Sequence, residues 1–374
     1  MSAERPRGVR LRLGLAAALA LALVCLMPLP HGCDARVTSS PEVAVADYQR
    51  LVRYANTRTR AEIEAALALV DPQGGLAAHH QLDDQTFTIF PERGAAPVRI
   101  ALRAEAAAEP LWPRQRIVID PGHFGGAWSE RESRHVVVGD GAPVREGDLT
   151  WATARLVADD LVRAGKTVTL TRAGPPAADY PAGADPRFSL EDEAAERLSE
   201  QQPNVFPWLT PLSAGRLLWA RRQLASETPF ALYQRYELRR RAALATAFEA
   251  DVTLSLHFNT TTNDSNGIVV FVPGNFLPGD FATATLRYWP FVRVLDGTLA
   301  ETQRLARNLA GAMMRHLQLP ALGRERKETS GSYWRMLDRD HGIYARNLAI
   351  LRRTAGVVLL LEGPCVNQSA EYQR

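Results

Sequence analysis

The period of apolar positions changes several times along this chain. Over residues 42–70, Tyr48, Leu51, Val52 and Tyr54, then Ile63, Ala66, Leu67 and Leu69, recur at intervals of three and four, which predicts helix up to the turn Asp71-Pro-Gln-Gly-Gly75. Thr86 to Phe90 and Val98 to Leu102 then alternate with period two around a turn from Pro91 to Pro97, predicting two antiparallel strands. From Arg116 onward, apolar runs at Arg116 to Asp120, Thr167 to Thr171, Val252 to Leu256 and Gly356 to Leu361 are separated by helical spacings. The first of these helices carries Leu149, Ala152, Leu156 and Leu161, with Asp148 able to cap it; another runs through Arg239 to Phe248, and a third carries Leu305, Leu309, Met313 and Leu317. Such alternation predicts an α/β fold with a mostly parallel twisted sheet flanked by helices, and ligands bound at the carboxyl ends of the strands. A small amino-terminal helix-plus-hairpin module precedes it.

The expected organisation is an export segment or membrane anchor over 1–35, the small module over 36–112, and a catalytic domain over 113–374. Two long stretches interrupt that domain. Residues 173–236 begin rich in proline and become amphipathic around Arg216 to Arg222, and 273–298 hold Phe276, Phe281, Tyr288, Trp289 and Phe291 between prolines and glycines. Connections this long are uncommon, so they are read as core-covering decoration or as a lid over a substrate groove.

Composition narrows the function classes. The 374 residues are 46% hydrophobic and 23% charged, which indicates a globular protein rather than a disordered or fibrous one. A net charge of +3 without a long basic run argues against nucleic acid as a partner. Arg5, Arg7, Arg10 and Arg12 precede an apolar stretch from Leu13 to about Leu29, the layout of an export signal. Cleavage after Ala35, lipidation of Cys33 and retention as an anchor are the three outcomes, and the membrane enters only through this segment. Beyond Cys25 and Cys33 only Cys365 remains, so the exported domain has no internal disulfide.

The candidate chemistry lies where strands end. His123 follows the first buried run in Ile119-Asp-Pro-Gly-His123-Phe-Gly-Gly126, and His257 and Glu362 each close a later one. Three parallel strands can thus deliver polar side chains to one end of one sheet. Two imidazoles and one carboxylate make a catalytic zinc site, and a further carboxylate supplies a general base. Glu146 is one candidate carboxylate; Glu130, Glu132 and His135, in a polar loop between His123 and Glu146, are rival ligands. Adjacent His79 and His80 point in different directions and are read as surface residues, and Arg172 and Arg240 as structural cations pairing with carboxylates or carbonyls.

These motifs, with Arg145-Glu146-Gly-Asp-Leu149, Ser255-Leu-His257-Phe-Asn259, Gly267-Ile-Val-Val-Phe271, Asp340-His-Gly-Ile-Tyr-Ala-Arg-Asn347 and Leu361-Glu362-Gly-Pro-Cys-Val-Asn367, occur in an order that resembles the zinc-dependent N-acetylmuramoyl-L-alanine amidases. The resemblance spans roughly residues 114–374. It implies that His123, Glu146 and His257 bind zinc, that Glu362 is the catalytic carboxylate, and that Asn259 contacts substrate. Three departures stand out. His123 and Glu146 are 23 positions apart (146 minus 123), longer than the family usual; Gly147 stands where the family commonly has lysine; and 12 residues follow Glu362 (374 minus 362), short of the family's closing helix.

The resemblance implies hydrolysis of the bond between N-acetylmuramic acid and L-alanine in peptidoglycan, in the periplasm or cell envelope, for wall remodelling or daughter-cell separation. A protein activator that displaces the insertions is a further expectation. The rivals are another zinc amide hydrolase or carboxypeptidase, which favours a Glu three residues after the first His where this chain has Gly126, and a non-catalytic wall-binding protein on the same fold.

Overall fold

The computed structural model describes residues 48–92, 94–105, 115–137, 143–174, 185–190, 193–194, 197, 228–260, 267–322 and 333–367. The proposed export segment and the Arg216-to-Arg222 stretch lie outside them. No helix among the described residues is long and apolar enough to cross a membrane.

The amino-terminal module opens with a 3-10 turn, Tyr48–Tyr54, then α1 (Arg60–Val70). The single helix expected over 42–70 is thus two pieces. Asn56 takes a left-handed φ of 58°, and Thr59 starts a fresh helix by a capping box, its backbone N–H donating to Glu62 at 2.7 Å. Strands β2 (Thr86–Ile89) and β3 (Val98–Ala101) form the expected hairpin, and β1 (His80–Leu82) adds a third, antiparallel strand that periodicity did not reveal. His80 packs on Phe87 and Phe291, with ring centroids 5.4 and 6.4 Å away.

The main sheet begins with β4 (Arg116–Pro121), followed by the short helix α2 (Trp128–Arg131) and a small ribbon of β5 (His135–Val136) and β6 (Val144–Arg145). Helix α3 (Glu146–Arg163) leads to β7 (Thr167–Leu170), and α4 (Pro229–Ala247) leads to β8 (Val252–Phe258). Strand β9 (Val269–Pro273) is followed by α5 (Ala284–Asp296) and α6 (Leu299–Leu317). The remainder is β10 (Trp334–Asp338), β11 (Ile343–Arg346), α7 (Ala349–Arg353) and β12 (Val357–Gly363). The sheet order is β10-β11-β9-β12-β8-β4-β7. Strands β12, β8, β4 and β7 are mutually parallel neighbours, whereas β9 runs antiparallel to β12 and β10 to β11.

Period-two alternation assigns each strand residue to one of two helix-covered faces. Ile117, Ile119, Leu254, Leu256, Leu359 and Leu361 pack with α3 and α6, through Val157, Leu161, Leu305, Leu309 and Met313. Val269, Phe271, Val358 and Leu360 pack on the opposite side with Ala242 of α4 and Ile350 and Leu351 of α7. Helix α4 starts at Pro229, inside the stretch read as an insertion, because Thr228 caps it by accepting from Ala231 N at 3.1 Å.

The second long stretch is scaffold. Phe276, Phe281, Phe291, Val294 and Leu295 are buried with Leu51, Ile63, Phe87, Ile89 and Ile100 of the small module, in one apolar cluster. Of the two readings given for 273–298, core-covering is the one this packing supports: the aromatics complete a core that three short strands and one helix are too small to close alone.

Candidate metal centre

Each of β8 and β12 buries every residue except one, and the exceptions are His257 and Glu362. The two are register partners on neighbouring parallel strands, so alternation places both on the same face of the sheet end. His123 lies just beyond β4, at the same end, with a left-handed φ of 57°. Non-glycine residues held in that region cluster at functional sites. Glu146 is the first residue of α3, and the His123, Glu146 and His257 donor atoms all lie within 4.8 Å of one another.

Glu146 Oε1 is 3.3 Å from His123 Nε2 and 3.3 Å from His257 Nδ1, and it accepts from Phe258 N at 3.1 Å. Its Oε2 is buried with no hydrogen bond among the described residues. An isolated buried carboxylate costs several kcal/mol, so this one needs cationic company. Burial works to raise its pKa, but hydrogen bonds from both histidines outweigh it and hold the carboxyl well below the usual range. Burial works to lower His123, and hydrogen bonds to Glu132 and Glu146 overcome it, drawing the imidazole up to about 9. The cluster therefore attracts positive charge. Two imidazoles, one carboxylate and an orphaned buried oxygen fit zinc, the donor set of catalytic zinc sites.

Glu132 corrects the expectation for the loop. It is neither solvent-facing nor among the clustered ligands. Its side chain is 5% exposed, one oxygen lies 3.3 Å from His123 Nδ1, and the other accepts from Phe124 N at 2.8 Å. Gln234 Nε2 of α4 donates to it at 3.3 Å. A carboxylate on the far nitrogen of a metal-binding histidine fixes the ring's tautomer and orientation. Burial opposes ionisation of Glu132, but the His123 contact prevails and lowers its pKa. Glu130, by contrast, is exposed and faces Arg145 at 3.5 Å, and His135 is exposed on β5. Loss of such an outer partner typically weakens metal binding about 10- to 100-fold. Glu132→Ala is therefore expected to weaken zinc binding by that factor in a chelator competition, with Glu130→Ala unchanged; unchanged affinity in Glu132→Ala would remove its orienting role.

The glycines are packing requirements. A Cβ on Gly147 would sit 2.1 Å from Gly125 N and 2.6 Å from its Cα, so the lysine that the resemblance implies here has no room. A Cβ on Gly122 would lie 2.4 Å from the His257 ring. Asp148 does not cap α3 but accepts from Gly126 N at 2.7 Å, tying the His123 turn to the first turn of that helix. Arg172 donates to the carbonyls of Pro121, Gly122 and Gly147 at 3.1, 3.2 and 2.6 Å, and burial lowers its pKa to about 9. Arg240 pairs with Glu237 at 2.9 Å. Both are structural.

Sequence reading missed Arg241, buried on α4, which donates to the carbonyls of Pro121 and His123 at 2.9 and 3.1 Å. It lies beside Arg240 in an arginine run, and nothing in the spacing distinguishes the two. Glu362 is partly exposed; burial pushes its carboxyl up, with His257 opposing and Glu146 reinforcing the shift. Asn259 follows β8, its carbonyl accepting from Val366 N at 2.9 Å.

A family model described as N-acetylmuramoyl-L-alanine amidase matches residues 220–374, a segment that contains His257 and Glu362 but not His123 or Glu146. No curated protein matches the chain. Among solved structures, it is similar to an N-acetylmuramoyl-L-alanine amidase from Clostridium difficile 630, at 17% identity and TM-score 0.35, covering 69% of this chain and 88% of that one. The amidase AmiC2 of Nostoc punctiforme has 15% identity and TM-score 0.33, covering 70% and 89%. The amidase Ami1 of Mycobacterium smegmatis has 12% identity and TM-score 0.34, covering 69% and 90%.

Proposed function

We propose that this chain is a zinc-dependent N-acetylmuramoyl-L-alanine amidase, the family whose model matches residues 220–374, with His123, Glu146 and His257 as its ligands and Glu362 as its general base. The enzyme hydrolyses the amide between N-acetylmuramic acid and L-alanine in peptidoglycan, and so acts on the cell wall. The observation that carries the zinc assignment is the convergence of three donor side chains within 4.8 Å, with Glu362 paired in register to His257. In this reading residues 113–374 form the catalytic unit, residues 36–112 buttress it, and residues 1–35 direct export.

His123, Glu146 and His257 would hold the zinc, which would supply Lewis acidity for activating a water and polarising the scissile carbonyl. Glu362, on the same face as His257, takes the water's proton and returns it to the departing alanine nitrogen. Glu132 holds the His123 ring through Nδ1. Arg172 and Arg241 fix the turn by its carbonyls, so the donors do not rearrange as charge develops. In this reading Asn259, which follows β8, contacts substrate.

The test uses the full exported protein on intact sacculi. Zinc should be present at about one per chain, and digestion should release peptides with a free L-alanine amino terminus while leaving the glycan strands whole. Release of single carboxy-terminal amino acids instead would establish the carboxypeptidase rival, and binding without any release the non-catalytic one.

A further inference from the structure

On the same face of the sheet as Glu362, and within electrostatic reach of it, stands an arginine that the mechanism does not use. Arg346 ends β11, opposite Trp334 of β10. Its guanidinium carbon is 5.1 Å from the centroid of Phe271 and 5.4 Å from that of Trp334. Phe271 is the register partner of Leu360, two residues before Glu362 on β12, so strand alternation puts the ring, the guanidinium and the carboxylate on one face. Two aromatic contacts hold the planar cation in place while leaving its N–H edge free. That edge makes no hydrogen bond or ion pair among the described residues. Glu362 and Arg134 both act electrostatically on Arg346, and Arg134, exposed, reaches within 4.0 Å of Glu146 Oε2. Two guanidinium groups thus stand within electrostatic reach of the centre's carboxylates, and the one with a rigid mounting makes no hydrogen bond or ion pair among the described residues.

We infer that Arg346, mounted between Phe271 and Trp334, is a subsite for a free carboxylate on the peptide stem of the substrate. Resting on the amidase reading above, this identifies which side of the scissile bond the site recognises. The glycan around that bond is neutral, the lactyl carboxyl being consumed in the amide, whereas the stem beyond L-alanine carries carboxylates. A guanidinium fork matches a carboxylate with two parallel charge-assisted hydrogen bonds. Binding the stem there seats the leaving amine beside Glu362. Stems whose carboxylates are amidated lose the pairing and are bound less well.

The experiment compares two muropeptides identical except that the stem carboxylates are free or amidated. Wild-type enzyme should show a KM roughly tenfold to a hundredfold lower for the free acid, the range for a charged hydrogen-bonded pair, with similar kcat. Arg346→Gln should raise KM for the free acid to that of the amide, leave the amide's KM and kcat within about twofold, and keep full zinc. Arg346→Lys, which keeps the charge but not the fork, should fall between. Equal KM values for the two substrates with wild-type enzyme would overturn the subsite without any variant, as would an equal loss on both substrates in Arg346→Gln. Failure of wild-type enzyme to cleave either one would instead overturn the amidase reading.

Discussion

Replacing Glu362 by Gln should lower amide hydrolysis by about 10²- to 10⁴-fold, roughly 3 to 5 kcal/mol in the barrier, while zinc content, fold and sacculus binding stay unchanged. Gln keeps the size and polarity of the side chain but cannot take a proton. The position tolerates it, because Glu362 is partly exposed, unlike the rest of β12, while the desolvation it does undergo disfavours the ionised form that Gln removes. Stability should therefore hold or rise slightly in thermal unfolding. Zinc measured together with turnover separates the two roles: a variant that loses the metal makes Glu362 a ligand, and one that turns over at near the normal rate ends its assignment as the base.

Glu146→Ala should empty the centre. The carboxylate is 3% exposed and lies 3.3 Å from both imidazoles, so the variant leaves two histidines without the anion that balances a divalent cation. Bound zinc is expected to fall from about one per chain to near none after dialysis, and hydrolysis with it. The substitution also strands Phe258 N, whose acceptor at 3.1 Å is Glu146 Oε1, at a cost of about 1 to 3 kcal/mol. Glu146→Gln, which keeps an acceptor for that N–H, distinguishes loss of the ligand from loss of the fold. Full zinc in Glu146→Ala would move the centre to Glu132, the only rival carboxylate in contact with His123 among the described residues.

Much of this site is visible in local pattern. Apolar runs that stop at His257 and Glu362, and a histidine two residues past the β4 strand, place three polar groups at one sheet end, because strand alternation and strand direction are short-range properties. The pattern could not rank Glu130, Glu132 and Glu146. All three lie in a stretch that reverses direction between β4 and α3, and their destinations depend on how α2 and the β5–β6 ribbon fold back. Glu130 faces solvent, Glu132 the rear of His123, and Glu146 the front of both histidines.

By itself the sequence determined the alternating strands and helices, the sheet end at which the candidate site lies, and the four residue types proposed for it. Those follow from periodicity and from the sharp polar termination of apolar runs. Only the tertiary structure decided that 273–298 completes the core of the small module, that Gly147 is imposed by the backbone of Gly125, and that Arg241 rather than Arg240 grips the His123 turn. Each of these is a contact between segments far apart in the chain or on opposite sides of a loop. Close packing fixes such contacts through volume and hydrogen-bond geometry, and neither leaves a periodic trace in the order of residues.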